Sequence, residues 1–133
     1  MVETRRSLNR SEILLINKRM IESFGGEYSD ESENLKSPGS LEYILAVIRG
    51  DFPYFFHSSI FEVAAFLCFR IIQGHIFFDG NKRTGFEAMN LLLQINNISL
   101  SFDTEVALDF SLKIAKKEIS EKEFIVWLRD NSK

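Results

Sequence analysis

Cysteine is nearly absent from this chain, and its scarcity excludes two kinds of architecture. The single cysteine, Cys68, lies inside an apolar run, so a disulfide framework is excluded and a small buried side chain is the expected role. The sequence also contains no Cys/His cluster with the spacing of a zinc site. Stability must come from a packed core, which a chain of 133 residues is long enough to build.

Positive charge is not in excess either, and no apolar run is long. The chain has 16 basic and 19 acidic residues, a net charge of −3, which argues against nucleic-acid binding through a broad phosphate-facing surface. No apolar run reaches the length that crosses a membrane, and the first ten residues are polar. We therefore expect a cytoplasmic protein with no nucleic-acid or membrane partner.

Proline occurs only twice, which leaves room for long helices, and the apolar residues recur at helical spacing. The patterns predict about six helices, over residues 11–24, 41–49, 60–72, 83–95, 104 to about 117, and 120 to about 129. The third is apolar almost all round, which is typical of a central buried helix. We expect one all-α domain over residues 1–133, with the first ten residues at its periphery.

Capping residues mark several of these helix ends. Ser40 is placed to cap the second helix. The sequences that start at Ser59 and at Ser120 fit capping boxes for the third and the last helix. Gly74 is predicted to end the third helix in the left-handed conformation.

The segment 51–58 is expected to be a short extended flap, because Pro53 argues against a continuous helix. Its aromatic residues can form a docking edge for another chain. Equally, they can simply cover the core. The predicted docking flap consists of Pro53, Tyr54, Phe55 and Phe56, and the aromatic residues that could cover the core are Phe52, Tyr54, Phe55 and Phe56.

Anion-binding groups are concentrated in the stretch HIFFDGNKRTGF, which begins at residue 75 between two buried helices. Gly80 allows close approach of the backbone, and the helix start beyond it offers free N–H groups and a positive dipole end to phosphate. Lys82 and Arg83 add positive charge at the same place. Arg83 also has a planar fork that matches two phosphate oxygens.

An acid and a base accompany these groups. Asp79 is a hard oxygen ligand, and Mg²⁺ is commonly held by one or two carboxylates together with substrate phosphates. His75 is the side chain here that gains and loses a proton near neutral pH, as a general base does. Together these groups predict transfer of a phosphate-containing group. The lysine lacks the flanking residues of a Walker A loop, and Phe77 is expected to be a core anchor.

The same residues resemble the Fic/Doc family, whose motif reads H-x-F-x-[DE]-G-N-x-R-x-x-R. The chain departs from it at two positions. Lys82 stands where adenylylating Fic enzymes commonly have glycine, and Phe86 replaces the final arginine. Both departures are similar to the Doc branch, the death-on-curing toxins. The resemblance covers about residues 11–130, and the motif is matched at His75, Phe77, Asp79, Gly80, Asn81 and Arg83.

The resemblance implies roles for the polar residues of this stretch and for Gly80. His75 would deprotonate a target hydroxyl, Asp79 would hold Mg²⁺, and the flap would align the target segment. The remaining residues would bind ATP: Gly80 and Asn81 through an anion hole, and Lys82 and Arg83 through contacts with the phosphates.

The two departures bear on which phosphate is transferred. In adenylylating relatives the second arginine holds ATP so that the α-phosphate is attacked, whereas Doc-like proteins bind ATP the other way round and transfer the γ-phosphate. Lys82, and Phe86 in place of that arginine, favour a Doc-like toxin that phosphorylates a Ser or Thr hydroxyl of a target protein, with the translation machinery as a candidate source. Such toxins are usually encoded with a small antitoxin. We expect the Phe86 ring to pack into the core.

Two other functions stay open. The alternative is a Fic-type AMP transferase. The third is a nucleotide-binding module without turnover, which is disfavoured because His75 and Asp79 are both present. Residues 29–34 fit the S/T-x-x-x-E-G/N inhibitory motif of some Fic proteins, but the arginine with which Glu33 would pair is missing. We interpret this segment as an acidic loop.

Overall fold

The computed structural model describes residues 5–51 and 59–133, and in these ranges the chain forms six helices. The described residues pair elsewhere only through two isolated antiparallel bridges, without a sheet. The predicted all-α fold is therefore confirmed. Nearly all of the predicted flap, including Pro53, Tyr54, Phe55 and Phe56, lies outside the described residues. The helices are α1 Arg10–Phe24, α2 Pro38–Arg49, α3 Ile60–Gln73, α4 Asn81–Ile95, α5 Thr104–Ala115 and α6 Glu121–Asp130.

Helix α3 lies at the centre, as its apolar pattern predicts. It packs against α2, α4, α5 and α6. Burying each of its large apolar side chains contributes about 1.5–3 kcal/mol. Burial also raises the pKa of the Cys68 thiol, in keeping with its predicted role as a small core residue. The buried residues of α3 are Val63, Ala64, Ala65, Phe66, Leu67, Cys68, Phe69, Ile71 and Ile72.

Helix α4 approaches α3 closely at Gly85. A Cβ atom at this position would lie 2.7 Å from Cγ1 of Ile72 and 3.0 Å from the carbonyl oxygen of Cys68. Because no side chain separates the helices there, the start of α4 is held firmly against the centre of the domain.

Two helices begin two or more residues earlier than predicted. Helix α2 starts at Pro38 with Ser37 as its N-cap, so the prediction that Ser40 caps it is wrong; the Ser37 hydroxyl instead donates to Ser40 Oγ at 2.7 Å. Proline suits the first helical position because its φ is already helical and it has no N–H to satisfy. Helix α4 starts at Asn81 because Gly80 precedes it in the left-handed region, with φ 79°.

The two predicted capping boxes differ. Ser120 and Glu123 form a complete box at the start of α6. At the start of α3, Ser59 accepts the N–H of Glu62, but among the described residues the return bond is not formed. The Glu62 carboxylate lies 3.8 Å from the Arg129 guanidinium instead.

Both ends of the described chain are attached to the domain. Leu8 is only 1% exposed, although the sequence places the first ten residues at the periphery. Asn96, at the end of α4, exchanges hydrogen bonds of 3.0 and 2.9 Å with the backbone of Arg6. Ser99 and Lys133 exchange backbone bonds of 3.0 and 2.9 Å. In the ranges that the structure describes, every helix is too short or too polar to cross a bilayer.

Candidate active site

The loop that joins α3 to α4 is tied to the segment before α2. Leu35 forms an antiparallel bridge with Phe77, and the N–H of Phe78 donates to the carbonyl of Asn34 at 2.9 Å. In addition, two backbone N–H groups of the segment before α2 donate to the carbonyl of Ile76 at 2.8 and 3.1 Å. The Phe77 ring is 1% exposed, in agreement with its predicted role as a core anchor.

His75 makes the turn out of α3. Its φ is 46°, whereas Gly74 is right-handed with φ −81°, so the prediction of a left-handed Gly74 is wrong. Position 74 needs glycine for a different reason: a Cβ there would lie 2.5 Å from the carbonyl oxygen of Arg70. His75 is exposed, and its left-handed backbone is uncommon for a residue with a side chain. The loop is therefore built to present this imidazole to solvent.

The side chain of Asn81 clamps the loop. Its amide Nδ2 donates to the carbonyl of Phe77 at 2.8 Å, and its Oδ1 accepts the N–H of Phe77 at 2.9 Å. This pair of bonds closes the loop onto the first turn of α4. Both ends of the amide are committed to Phe77, so a contribution of Asn81 to an anion hole would come from its backbone N–H.

Asp79 is held from two sides by backbone donors. Its Oδ1 accepts the N–H of Gly80 at 2.8 Å, and its Oδ2 accepts the N–H of Glu27 at 3.0 Å. Gly26, with φ 129°, makes the second bond possible, since a Cβ there would lie 2.8 Å from Oδ2. The Gly25–Gly26 pair thus does more than end α1, because it brings the following backbone against the acid.

Among the described residues, the N–H groups of the first turn of α4 have no hydrogen-bond partner. No side chain caps the helix at Gly80, and the first N–H to find a backbone partner is that of Thr84, 2.9 Å from the Gly80 carbonyl. By helix geometry the N–H groups of Asn81, Lys82 and Arg83 have no partner within the helix. These donors and the helix dipole suit a phosphate group.

Two cations flank these donors. Lys82 and Arg83 are both exposed. The Arg83 guanidinium carbon lies 3.9 Å from the centre of the Phe24 ring, at the end of α1. Stacking on this ring restricts the guanidinium, which lowers the entropy lost when it grips an anion.

A cleft of about 210 Å³ opens beside the cations, between α1, α4 and α5. It is smaller than the usual ligand pocket of about 300–1,000 Å³, and its lining is mostly apolar. The lining residues are Met20, Phe24, Lys82, Arg83, Phe86, Glu87, Phe102, Thr104, Ala107, Leu108 and Ser111.

Phe86 belongs to an aromatic cluster, as its predicted core position requires. It is 3% exposed, and its ring centre lies 5.1 Å from Phe102, 6.4 Å from Phe124 and 6.5 Å from Trp127. Where the Fic motif has its second arginine, this chain has a ring that joins α4 to α6.

The acidic segment 29–34 contains Glu33, the glutamate of the inhibitory motif. Glu33 lies 3.4 Å from Arg10 on α1, and Asn34 is fully buried. The described geometry of this segment agrees with its interpretation as an acidic loop.

Asp79 is the acid at this site that could hold a metal ion. The described residues contain no group of three or more His, Cys, Asp or Glu side chains able to hold one. Each Asp79 oxygen accepts a single N–H and keeps lone-pair capacity for a cation. This donor set fits Mg²⁺, which completes its coordination with phosphate oxygens and water.

Several residues at the site were not predicted from the sequence, among them Asn17, Gly26 and Phe24. Asn17 is fully buried and donates to the carbonyl of Asp79 at 2.9 Å. Its position was a readable signal, because it falls four residues after Ile13 and four before Ile21, on the buried face of α1. Gly26 carried only the signal of a helix end, and Phe24 that of an apolar helix residue.

Comparison with known proteins agrees with this geometry. The sequence model of the Fic/DOC family matches residues 7–93. The chain is 29% identical over 115 residues to a protein of Escherichia phage P1 named "Protein kinase doc", and the match covers 86% of each chain. The family model matches more than half of the sequence, including the whole loop from His75 to Arg83. The chain therefore belongs to the Fic/DOC family.

Proposed function

We propose that the protein is a Doc-like toxin that transfers the γ-phosphate of ATP to a Ser or Thr hydroxyl of a target protein. The similarity to a protein named as a kinase supports this reaction class. The proposal also includes a target protein and an antitoxin.

The observation that carries the proposal is the environment of Phe86. A ring buried among Phe102, Phe124 and Trp127 gives no charge to the site, so a triphosphate would be gripped at one end only. That end is the start of α4, where three backbone N–H groups, Lys82 and Arg83 gather. The γ-phosphate carries the most charge in ATP, and these groups would draw it towards His75.

Each side chain then has a definite task. A ring nitrogen of His75 takes the proton of the target hydroxyl. The hydroxyl oxygen forms a bond to the γ-phosphorus, while the bond from that phosphorus to the β–γ bridging oxygen breaks and ADP leaves. Arg83, stacked on Phe24, grips phosphate oxygens through its fork. The N–H groups of α4 stabilise the negative charge on the transferred group.

Asp79 would hold Mg²⁺ against the phosphates. When bound, the ion would offset phosphate charge. The protein would hold the carboxylate in place through hydrogen bonds from the N–H groups of Glu27 and Gly80. Asn81 keeps the loop closed above the first turn of α4.

Two protein partners go with this proposal. One is a target with a reactive Ser or Thr, for which a component of the translation machinery is a candidate, and a cytoplasmic location goes with such a target. The other is a small antitoxin that blocks the site.

The test is to incubate the protein with a host lysate and ATP labelled at either the α- or the γ-phosphate. We expect label from the γ-position alone on one target, and a mass increase of one phosphate. Labelled AMP on the target would overturn the proposal in favour of AMP transfer. Tight ATP binding without transfer of either label would favour the module without turnover.

A further inference from the structure

Two fully buried amides lie beneath the proposed metal ligand. Asn17 on α1 and Asn34 in the loop before α2 both have 0% exposure. Both direct Nδ2 at the same atom, the carbonyl oxygen of Asp79, at distances of 2.9 and 3.3 Å. They also bond to each other, with Asn34 Nδ2 donating to Asn17 Oδ1 at 3.0 Å.

The bonds of this network determine which way each amide points. Oδ1 of Asn34 accepts the backbone N–H of Ser29 at 3.1 Å, so Nδ2 of Asn34 must face Asn17. Asn17 then presents its oxygen to Asn34 and its nitrogen to Asp79 and to Oγ1 of Thr84, 3.1 Å away. A flip of either amide would place two donors or two acceptors against each other.

Packing alone does not account for these amides. The Asn17 side chain shares a face with Ile13 and Ile21, where an apolar residue would avoid the desolvation of a polar group. The pair instead uses its hydrogen-bonding capacity on the main chain of Asp79. A satisfied polar network in the core specifies one arrangement of the elements that it joins.

Asp79 is therefore held at both its backbone and its side chain. Donors from α1 and from the loop before α2 reach its carbonyl, and the N–H groups of Glu27 and Gly80 reach its carboxylate. The peptide of Asp79 cannot retreat without breaking the bonds from Asn17 and Asn34, and its carboxylate cannot rotate without breaking those from the N–H groups of Glu27 and Gly80.

From this we infer that Asn17 is a positioning residue for Asp79, and that Asn34 acts by orienting Asn17. The pair sets the place of the carboxylate before a cation arrives and thereby strengthens Mg²⁺ binding. This inference rests on the proposed function, since it takes Asp79 as the metal ligand.

The test is a Mg²⁺ titration of isotope-labelled full-length protein in the presence of the nonhydrolysable ATP analogue AMP-PNP. It is followed by NMR through the amide signals of Glu27 and Gly80, which both donate to Asp79. We expect Asn17→Ala to raise the Mg²⁺ concentration at the midpoint by about tenfold, the lower end of the loss seen when a partner of a metal ligand is removed. Affinity for AMP-PNP without Mg²⁺ should not change.

A second variant covers the risk that Asn17→Ala does not fold. Asn34 has φ 62°, so Asn34→Gly removes the amide at a backbone position that glycine adopts readily. Its bond to Asp79 is the longer of the two, so we expect a measurable rise in the Mg²⁺ midpoint that is smaller than the rise for Asn17→Ala.

Asn96→Ala is the matched control, because this amide also ties two backbone segments together but at the opposite end of α4. It should lower the melting temperature and leave the Mg²⁺ midpoint where it is. Wild-type midpoints in both Asn17→Ala and Asn34→Gly would overturn this inference alone. If the wild-type protein gives no Mg²⁺ response, the proposed role of Asp79 fails, and the inference fails with it.

Discussion

The helix starts of this protein fall into two kinds. Four helices begin with a side chain that accepts an N–H of their own first turn, namely Asn9, Ser59, Asp103 and Ser120. Helix α4 begins with Gly80, which has no side chain to offer. Leaving a cap out forgoes about 1 kcal/mol of stability, and the chain does so where Lys82, Arg83 and Asp79 gather. Helix α2 also lacks a side-chain cap, but Pro38 at its first position has no N–H to satisfy. Among the described helices, an uncapped start that gathers two cations and an acid therefore marks the site, and the four capped starts belong to the scaffold.

The largest effect is expected when the base is removed from the loop that leads to the uncapped start of α4. His75→Ala should lower turnover by about 10²- to 10⁴-fold, the usual range for a general base, with little change in ATP affinity because phosphate is held by α4. Single-turnover transfer and a separate ATP-binding titration measure the two quantities. Full transfer activity in the variant would show that His75 is not the base.

A charge placed at the uncapped start should come next in size. Gly80→Asp and Gly80→Asn add side chains of equal size at φ 79°, a region that both residues tolerate better than most. In both variants the new Cβ would lie 3.1 Å from Nδ2 of Asn17 and 3.2 Å from Cγ1 of Ile21, so this crowding is common to the pair. Only the aspartate repels phosphate, so we expect it to bind ATP at least about tenfold more weakly than the asparagine variant, a difference of about 1.4 kcal/mol. Equal affinities, measured by calorimetry, would mean that the start of α4 is not the phosphate site.

Removing a cap from the other kind of helix start should affect stability alone. Ser120→Ala breaks the capping box of α6 and should lower the free energy of unfolding by about 1 kcal/mol. Urea denaturation measures this loss. Transfer activity, assayed where the variant is fully folded, should equal that of the wild type, and a fall in activity would contradict the division into site and scaffold.

The smallest effect is expected from the ring beneath Arg83. Phe24→Leu keeps apolar bulk but removes the ring face, which at an exposed position is worth about 0.5–1 kcal/mol. ATP affinity should therefore fall by about two- to fivefold. Phe24→Tyr keeps the ring and should bind ATP as the wild type does. Identical ATP affinities for the leucine and tyrosine variants would show that stacking does not prepare Arg83.

Much of the fold could be predicted because its signals are local. The apolar pattern of α3 predicts a buried helix, and the Ser120 box predicts the start of α6; both are confirmed. The start of α2 was predicted too late, because Ser40 and Ser37 are both plausible caps and the choice depends on Pro38.

The sequence predicts the residues of the candidate site but not the residues that hold them in place. The motif indicates the family, which the family match confirms. The bonds from Asn17 and Glu27 to Asp79 join residues 62 and 52 positions apart, and no periodicity reports such a pairing. Gly74 is a second example. Glycine is needed there because a side chain would collide with the carbonyl oxygen of Arg70, whereas the sequence predicted a left-handed turn.

The burial of Phe86 has a consequence for how such proteins can change over evolutionary time. Its ring is part of the contact that joins α4 to α6 through Phe124 and Trp127. An arginine at this position would have to displace these rings before its guanidinium could reach a nucleotide, so a single substitution would disturb the packing before it supplied a cation. A relative with an arginine at this position would need a different contact between α4 and α6.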